Sequence, residues 1–286
     1  MTPEAFRLIR PYRQTSAVIF SSPHSGRDYP AAFLAASPLD SRTLRSSEDA
    51  FVDSLFDMAP QLGSPLLAAC APRAYIDLNR APDEFDPGVI EGIARTGHNP
   101  RISSGLGVIP RVVAAGRMIY HRKMALSEAE ARVAAYWQPY HRALRGLLDT
   151  TLTDFGEAIL LDCHSMPHEA IETHARPGHP RPDVVLGDRF GATASPEVMD
   201  RVEAAFANAG LRVVRNAPFA GAYITQAYGR PSRRQHVVQV EIDRALYMNE
   251  ARIEPLAGFA AFRERMAGVV AEVVDSGRRR VPVAAE

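Results

Sequence analysis

Ala158-Ile159-Leu160-Leu161-Asp162-Cys163-His164-Ser165-Met166 begins as an apolar run and passes without a break into an acid, a thiol, an imidazole and a hydroxyl. A short, unbroken apolar run predicts a strand covered on both faces, as at the centre of a parallel sheet. A second stretch repeats the pattern: Ala17-Val18-Ile19-Phe20 leads through Ser21-Ser22-Pro23 to His24-Ser25-Gly26. Two strands that each deliver His-Ser at the carboxyl end bring two ligands to one sheet edge, where open α/β folds build their sites. A metal shared by His24 and His164 is the sharper reading; hydrogen-bonded structural histidines are the plainer one.

Working outward, strands are predicted at 16–20, 66–70, 74–78, 158–163, 183–186, 211–215 and 236–242. They alternate with helical patterns, which selects an α/β architecture. Ser127 with Glu130 forms a capping box that opens a long helix toward Leu148. Ser195-Pro196 starts another to about residue 209, with Gly210 at its C-terminal cap. Ser46 or Ser47 caps a helix through Phe51, Leu55 and Met58, and a last helix spans about 256–275. Residues 81–111 hold four prolines and five glycines with little periodicity. A loop that long in a compact domain is usually functional or mobile. The stretch 168–181 is also loop-like and carries His174 and His179. With no repeat and no linker, residues 1–286 read as a single domain.

Lysine plus arginine equals aspartate plus glutamate, 33 each in 286 residues, so no charge imbalance draws the chain to nucleic acid or membrane. Lys123 is the sole lysine, and the Arg278-Arg279-Arg280 run reads as a solvated tail. No apolar run reaches the roughly 18 residues of a membrane span, and the N-terminus lacks the basic and apolar regions of a signal peptide. Cys70 and Cys163 make no disulfide framework. A cytoplasmic protein with a small-molecule partner is expected.

A hydrolytic metal site needs about three protein ligands and an open position. With His24 and His164 as two, the third is a carboxylate, and Glu48-Asp49 sits at a predicted helix start, where both acids can equally complement the helix dipole. In Asp77-Leu78-Asn79-Arg80 the guanidinium fork and neighbouring amide suit a substrate carboxylate, or the four make an Asx-turn. Asp162 can orient a ligating histidine or satisfy backbone. Strand alternation puts Gln239, Glu241 and Asp243 on one face, so Glu241 is a cleft-lining general base or lies on the wet face of an edge strand. Tyr223 and Thr225 can hydrogen-bond substrate or belong to a plain turn. Arg117 or Arg122 can add a cationic contact. Cys163 is the alternative nucleophile, disfavoured because an apolar strand raises a thiol's pKa.

Seven stretches together resemble the N-formylglutamate amidohydrolase family. They are Pro23-His24-Ser25-Gly26, Glu48-Asp49 with Val52-Asp53, Asp77-Leu78-Asn79-Arg80, and Tyr136-Trp137-Gln138-Pro139-Tyr140-His141. Asp162-Cys163-His164-Ser165-Met166 follows, then Gly221-Ala222-Tyr223-Ile224-Thr225 with Tyr228-Gly229, and last Gln239-Val240-Glu241-Ile242-Asp243-Arg244 with Leu246-Tyr247-Met248. The resemblance implies an α/β fold of the zinc-dependent exopeptidase type, a mixed, mostly parallel sheet flanked by helices. It implies one zinc per chain, held by His24, His164 and an acid; Asp49 is favoured and Glu48 stays open. By the same resemblance Glu241 is the general base and Asn79-Arg80 grips a substrate carboxylate. The implied reaction releases formate from a formylated acidic amino acid, as in one route of histidine degradation. A carboxypeptidase-like enzyme, another N-acyl amino acid hydrolase, or a carboxylate- or metal-binding protein without catalysis are the alternatives.

Overall fold

Phe6–Ile9 (β1), Val18–Ser22 (β2), Leu66–Ala69 (β3), Ala158–Met166 (β4), Val184–Gly187 (β5), Val213–Arg215 (β6) and Gln235–Asp243 (β7) hydrogen-bond into one sheet. Their spatial order is β1-β3-β2-β4-β7-β5-β6. β2 runs parallel to β3 and β4, β4 parallel to β7, and β5 parallel to β6. β1 joins β3, and β5 joins β7, in antiparallel fashion. The expected α/β class with a mixed, mostly parallel sheet is the fold that forms. The computed structural model describes residues 4–94, 99–172 and 181–278, so His174, His179, Arg279 and Arg280 lie outside the described residues.

The period of two along each strand sorts side chains into two layers. Ile159, Leu161 and Cys163 of β4 join Val238, Val240 and Ile242 of β7 in one core layer, under the helices Val52–Leu55, Pro196–Asn208 and Phe259–Ser276. Ala158 and Leu160 of β4 and Val237 of β7 face the other layer, against Tyr140, Leu144, Leu147 and Leu148 of the helix Gln138–Phe155. With both faces covered, any acid on the central strands is buried, which excludes the wet edge-strand reading of Glu241. Among the described residues no helix is long and apolar enough to cross a membrane.

Three expected elements differ. Residues 74–78 form no strand; Tyr75 and Ile76 N–H return to the Pro72 carbonyl, and Asp77 N–H donates to Val108 O at 2.8 Å. Their apolarity reflects burial in the core, where Ile76 and Leu78 pack, and burial alone does not specify a strand. The long helix is interrupted. It starts at Leu126 without a Ser127 cap, widens to a π-turn over Val133–Trp137, and resumes at Gln138, because Pro139 has no N–H to close the α-helical ladder. No helix runs from Ser46 to Met58. Phe51 has φ 67°, which separates the short helices Ser41–Arg45 and Val52–Leu55 and leaves Glu48 and Asp49 between them. The Ser195-Pro196 start forms as expected, with Ser195 Oγ accepting from Val198 N–H.

Candidate active site

β2 and β4 are neighbours in register, so their carboxyl ends bring His24 and His164 together, with ring centroids 4.8 Å apart. The turn after β2 is fixed by a Ser22–Ser25 hydroxyl bond of 2.8 Å and by close approach of Gly26 to the end of β3. A Cβ on Gly26 would lie 2.1 Å from Ala71 O, so only glycine fits there. Asp49 reaches the same point because its N–H donates to His24 O at 3.0 Å. The donor atoms of His24, Asp49 and His164 all lie within 4.8 Å of one another, and all three residues are buried.

Their surroundings set the direction of each donor atom. His24 Nε2 lies 2.7 Å from Asp77 Oδ1, and His164 Nε2 lies 3.0 Å from Asp162 Oδ2. Each ring thus donates outward to a buried carboxylate and turns Nδ1 inward, toward Asp49 Oδ2 at 3.4 Å and 2.9 Å respectively. His24 Nδ1 is buried with no hydrogen-bond partner. The other carboxylate oxygen of Asp49, Oδ1, accepts from Arg244 Nη2 at 3.0 Å and Ser165 Oγ at 3.3 Å. Two imidazole nitrogens and a carboxylate oxygen converging on one buried point are an acceptor set that a cation satisfies. Imidazole and carboxylate ligands with histidines oriented by carboxylates suit a metal such as zinc.

The charges agree with that reading. Burial alone would raise the Asp49 carboxyl, but the His164 hydrogen bond and the adjacent His24 ring hold it well below its ordinary range. Burial would lower His164, yet Asp162 and Asp49 hold it well above. Burial is opposed in the same way at Asp77, where His24, Arg80 and Arg73 keep the carboxyl well below.

One strand over, β7 pairs Glu241 with His164 and Gln239 with Asp162. Gln239 Oε1 accepts Ala222 N–H at 2.8 Å, which obliges its Nε2 to donate to Glu241 Oε1 at 2.8 Å. Burial pushes the Glu241 carboxyl up to about 7; Asp49 adds to this, while His164, Arg73 and Arg244 oppose it. A carboxyl poised there exchanges protons near neutral pH. His24, Asp49, His164, Gln239 and Glu241 line one cavity of ≈ 600 Å³, together with Arg73, Arg80 and Arg101.

Several expected site residues sit elsewhere. Glu48 points away from His24 and His164, accepting from Tyr29 Oη at 2.5 Å and Arg45 Nε at 3.1 Å, so the acid of the cluster is Asp49. Asn79 lines the cavity with its amide engaged: Nδ2 donates to Asp162 and Oδ1 accepts Ile224 N–H at 2.7 Å. It therefore braces His164 through Asp162. Thr225 Oγ1 donates to Ala222 O, and Tyr223 packs against Trp137 and His141. Neither lines the cavity; Gly221 (φ 115°) and Ala222 do. Arg117 is spent on Ala114 O and Thr43 Oγ1, outside the cavity, and Arg122 does not line it. Cys163 is fully buried in the opposite layer, with burial raising its thiol well above the ordinary value, so a thiolate nucleophile has no access.

The Tyr136–His141 stretch acts as scaffold. Trp137 Nε1 donates to Arg80 O at 2.9 Å and His141 Nε2 donates to Leu78 O at 2.8 Å, which pins the backbone around Asn79 and Arg80. Arg73, Arg244 and Gln239 were not foreseen as site residues. Gln239 was accessible from alternation with Glu241, and Arg244 from its place directly after β7. Arg73 lies in a turn after Pro72 that carries no sequence signal.

Known proteins share this sequence pattern and fold. The family model for N-formylglutamate amidohydrolase matches residues 16–248. An N-formylglutamate deformylase of Pseudomonas aeruginosa is 33% identical over 271 residues, covering 92% of this chain and 94% of that protein. Another from Pseudomonas putida is 32% identical over 236 residues, 82% of each chain. The crystal structure of an N-formylglutamate amidohydrolase from Ralstonia eutropha superposes with a TM-score of 0.89 at 36% identity, covering 98% of this chain and all (100%) of that one. With the match spanning every segment that builds the cavity, the chain belongs to the N-formylglutamate amidohydrolase family.

Proposed function

We propose that this chain is a zinc-dependent deformylase that hydrolyses N-formylglutamate to glutamate and formate. One observation carries the reading: a buried cluster of His24, Asp49 and His164 and a carboxyl raised to about 7, paired with His164 across adjacent strands, open into one arginine-lined cavity. His24, Asp49 and His164 are the residues to hold the ion. When bound, zinc polarises a carbonyl and draws the pKa of a water toward 7.

The protein's own groups then divide the work. Glu241, oriented by Gln239, takes a proton from the attacking water and delivers it to the departing nitrogen. The new C–O bond forms as the formyl C–N bond breaks, giving formate and the free amine. Arg80 offers its remaining N–H groups to the substrate's α-carboxylate. Arg73, held by Asp77 at 3.1 Å and electrostatically coupled to Asp49 and Glu241, faces the oxygen where negative charge develops.

The test is glutamate release from N-formyl-, N-acetyl- and N-carbamoyl-glutamate by protein of measured metal content, before and after chelation and zinc return. Activity on N-formylglutamate that vanishes with chelation and returns with zinc is expected. Metal-free protein that still hydrolyses substrate refutes the zinc assignment, and zinc-loaded protein inactive on all three refutes the reaction.

A further inference from the structure

Arg80 spends Nε on Leu106 O at 2.9 Å and Nη1 on Asn79 O at 2.7 Å, and it is 6% exposed. It is held by both bonds, and through Asn79 and Asp162 it stands beside the His164 ring. Arg101 differs. It lies in the short helix Pro100–Ser103, where Asn99 Oδ1 accepts the Arg101 N–H at 3.0 Å and fixes the backbone. Its half-buried side chain lines the same cavity, and among the described residues its guanidinium has no hydrogen bond or ion pair. The segment that presents it is the one whose Leu106 carbonyl grips Arg80. Burial lowers the Arg80 pKa and Asp77 opposes this, while Arg73 and Arg101 add to the lowering, so both guanidinium groups lie close enough to Arg80 to act on it. A free guanidinium in a cleft is a fork for a carboxylate.

We propose that Arg101 is the specificity residue for a second carboxylate, which makes the cavity selective for dicarboxylate N-acyl amino acids. This rests on the deformylase reading above. The α-carboxylate is two bonds from the scissile nitrogen and goes to Arg80, which is braced against the metal cluster. The side-chain carboxylate extends outward and goes to Arg101, on the overlying segment.

Two measurements on zinc-loaded full-length protein test this: kcat/KM for N-formylglutamate against N-formylglutamine, and calorimetric binding of glutarate against butyrate. In the wild type the dicarboxylate is preferred in both. In Arg101→Gln the preference falls by roughly 10- to 150-fold, the range for losing hydrogen bonds to a charged group. Arg101→Lys, which keeps the charge without the fork, falls between. A parallel loss with both substrates, a preference that survives Arg101→Gln, or no wild-type preference in either measurement overturns the proposal. If wild type hydrolyses neither substrate yet binds glutarate through Arg101, the deformylase reading fails and the dicarboxylate site stands.

Discussion

Replacing Glu241 by glutamine should move activity and stability in opposite directions. Glutamine can still accept the Gln239 amide through its carbonyl, so the local hydrogen bond survives, but it takes up no proton from water. Loss of a general base lowers kcat by about 10²- to 10⁴-fold. Stability follows from the raised carboxyl, about 7 in the fold against 4.5 as the ordinary value. Below about pH 4.5 the group is protonated whether folded or unfolded and costs nothing. As pH rises through 7 the unfolded chain has released its proton first, so a penalty accumulates, reaching about 3 kcal/mol once both states are ionised. Metal-free Glu241→Gln is therefore expected to melt about 5 °C above metal-free wild type at pH 8, with the gap closing near pH 4.5. Formate release by the zinc-loaded variant and a pH series of melting curves on chelated protein read the two effects. Retained turnover with zinc bound would discard Glu241 as the base. A melting gap independent of pH would discard burial as the origin of its shift.

The same carboxyl gives wild type an acid limb in kcat/KM, which zinc's charge places below the metal-free value of about 7. A pH–rate profile flat to pH 4 contradicts this. Asp77→Asn weakens the hold on His24 and should cost about 10- to 100-fold in zinc affinity, read by competition with a chelating indicator; unchanged affinity would mean His24 needs no such orientation. Trp137→Phe removes the donor to Arg80 O and should raise KM about fivefold with little change in kcat, the value of one neutral hydrogen bond. Cys163→Ala, in the opposite layer, should turn over like wild type; a loss of activity with metal retained would revive the thiol.

The central strands were legible because burial on two faces leaves only apolar residues to choose from, so the exceptions stand out. Asp162, His164 and Glu241 are such exceptions, and strand periodicity correctly placed Glu241 beside Gln239 and opposite Val240. The turns were less legible. Glu48 and Asp49 are adjacent acids whose orientation depends on a positive φ at Phe51 and on one backbone bond to His24, neither of which leaves a compositional trace. Asn79 kept its place in the cavity but changed its part, because Ile224 N–H and Asp162 claim its amide from segments distant in sequence. Tyr223 and Thr225 marked the right stretch, yet it is their neighbours Gly221 and Ala222 that line the cavity.

The segment carrying Arg101 packs Val108 and Ile109 into the core, and its hydrogen bonds to the rest of the protein use main-chain atoms: Asp77 N–H to Val108 O, Val108 N–H to Glu84 O, and Leu106 O to Arg80. Main-chain bonds do not depend on side-chain identity. The residues of this segment that face the cavity can therefore be exchanged while its path is kept, and the residues at the strand ends that surround His24, Asp49 and His164 remain untouched. In a lineage, the choice of acyl amino acid can drift independently of the hydrolytic apparatus. Family members that share the strand-end histidines while differing around Arg101 would then divide by substrate, with the same reaction performed on each.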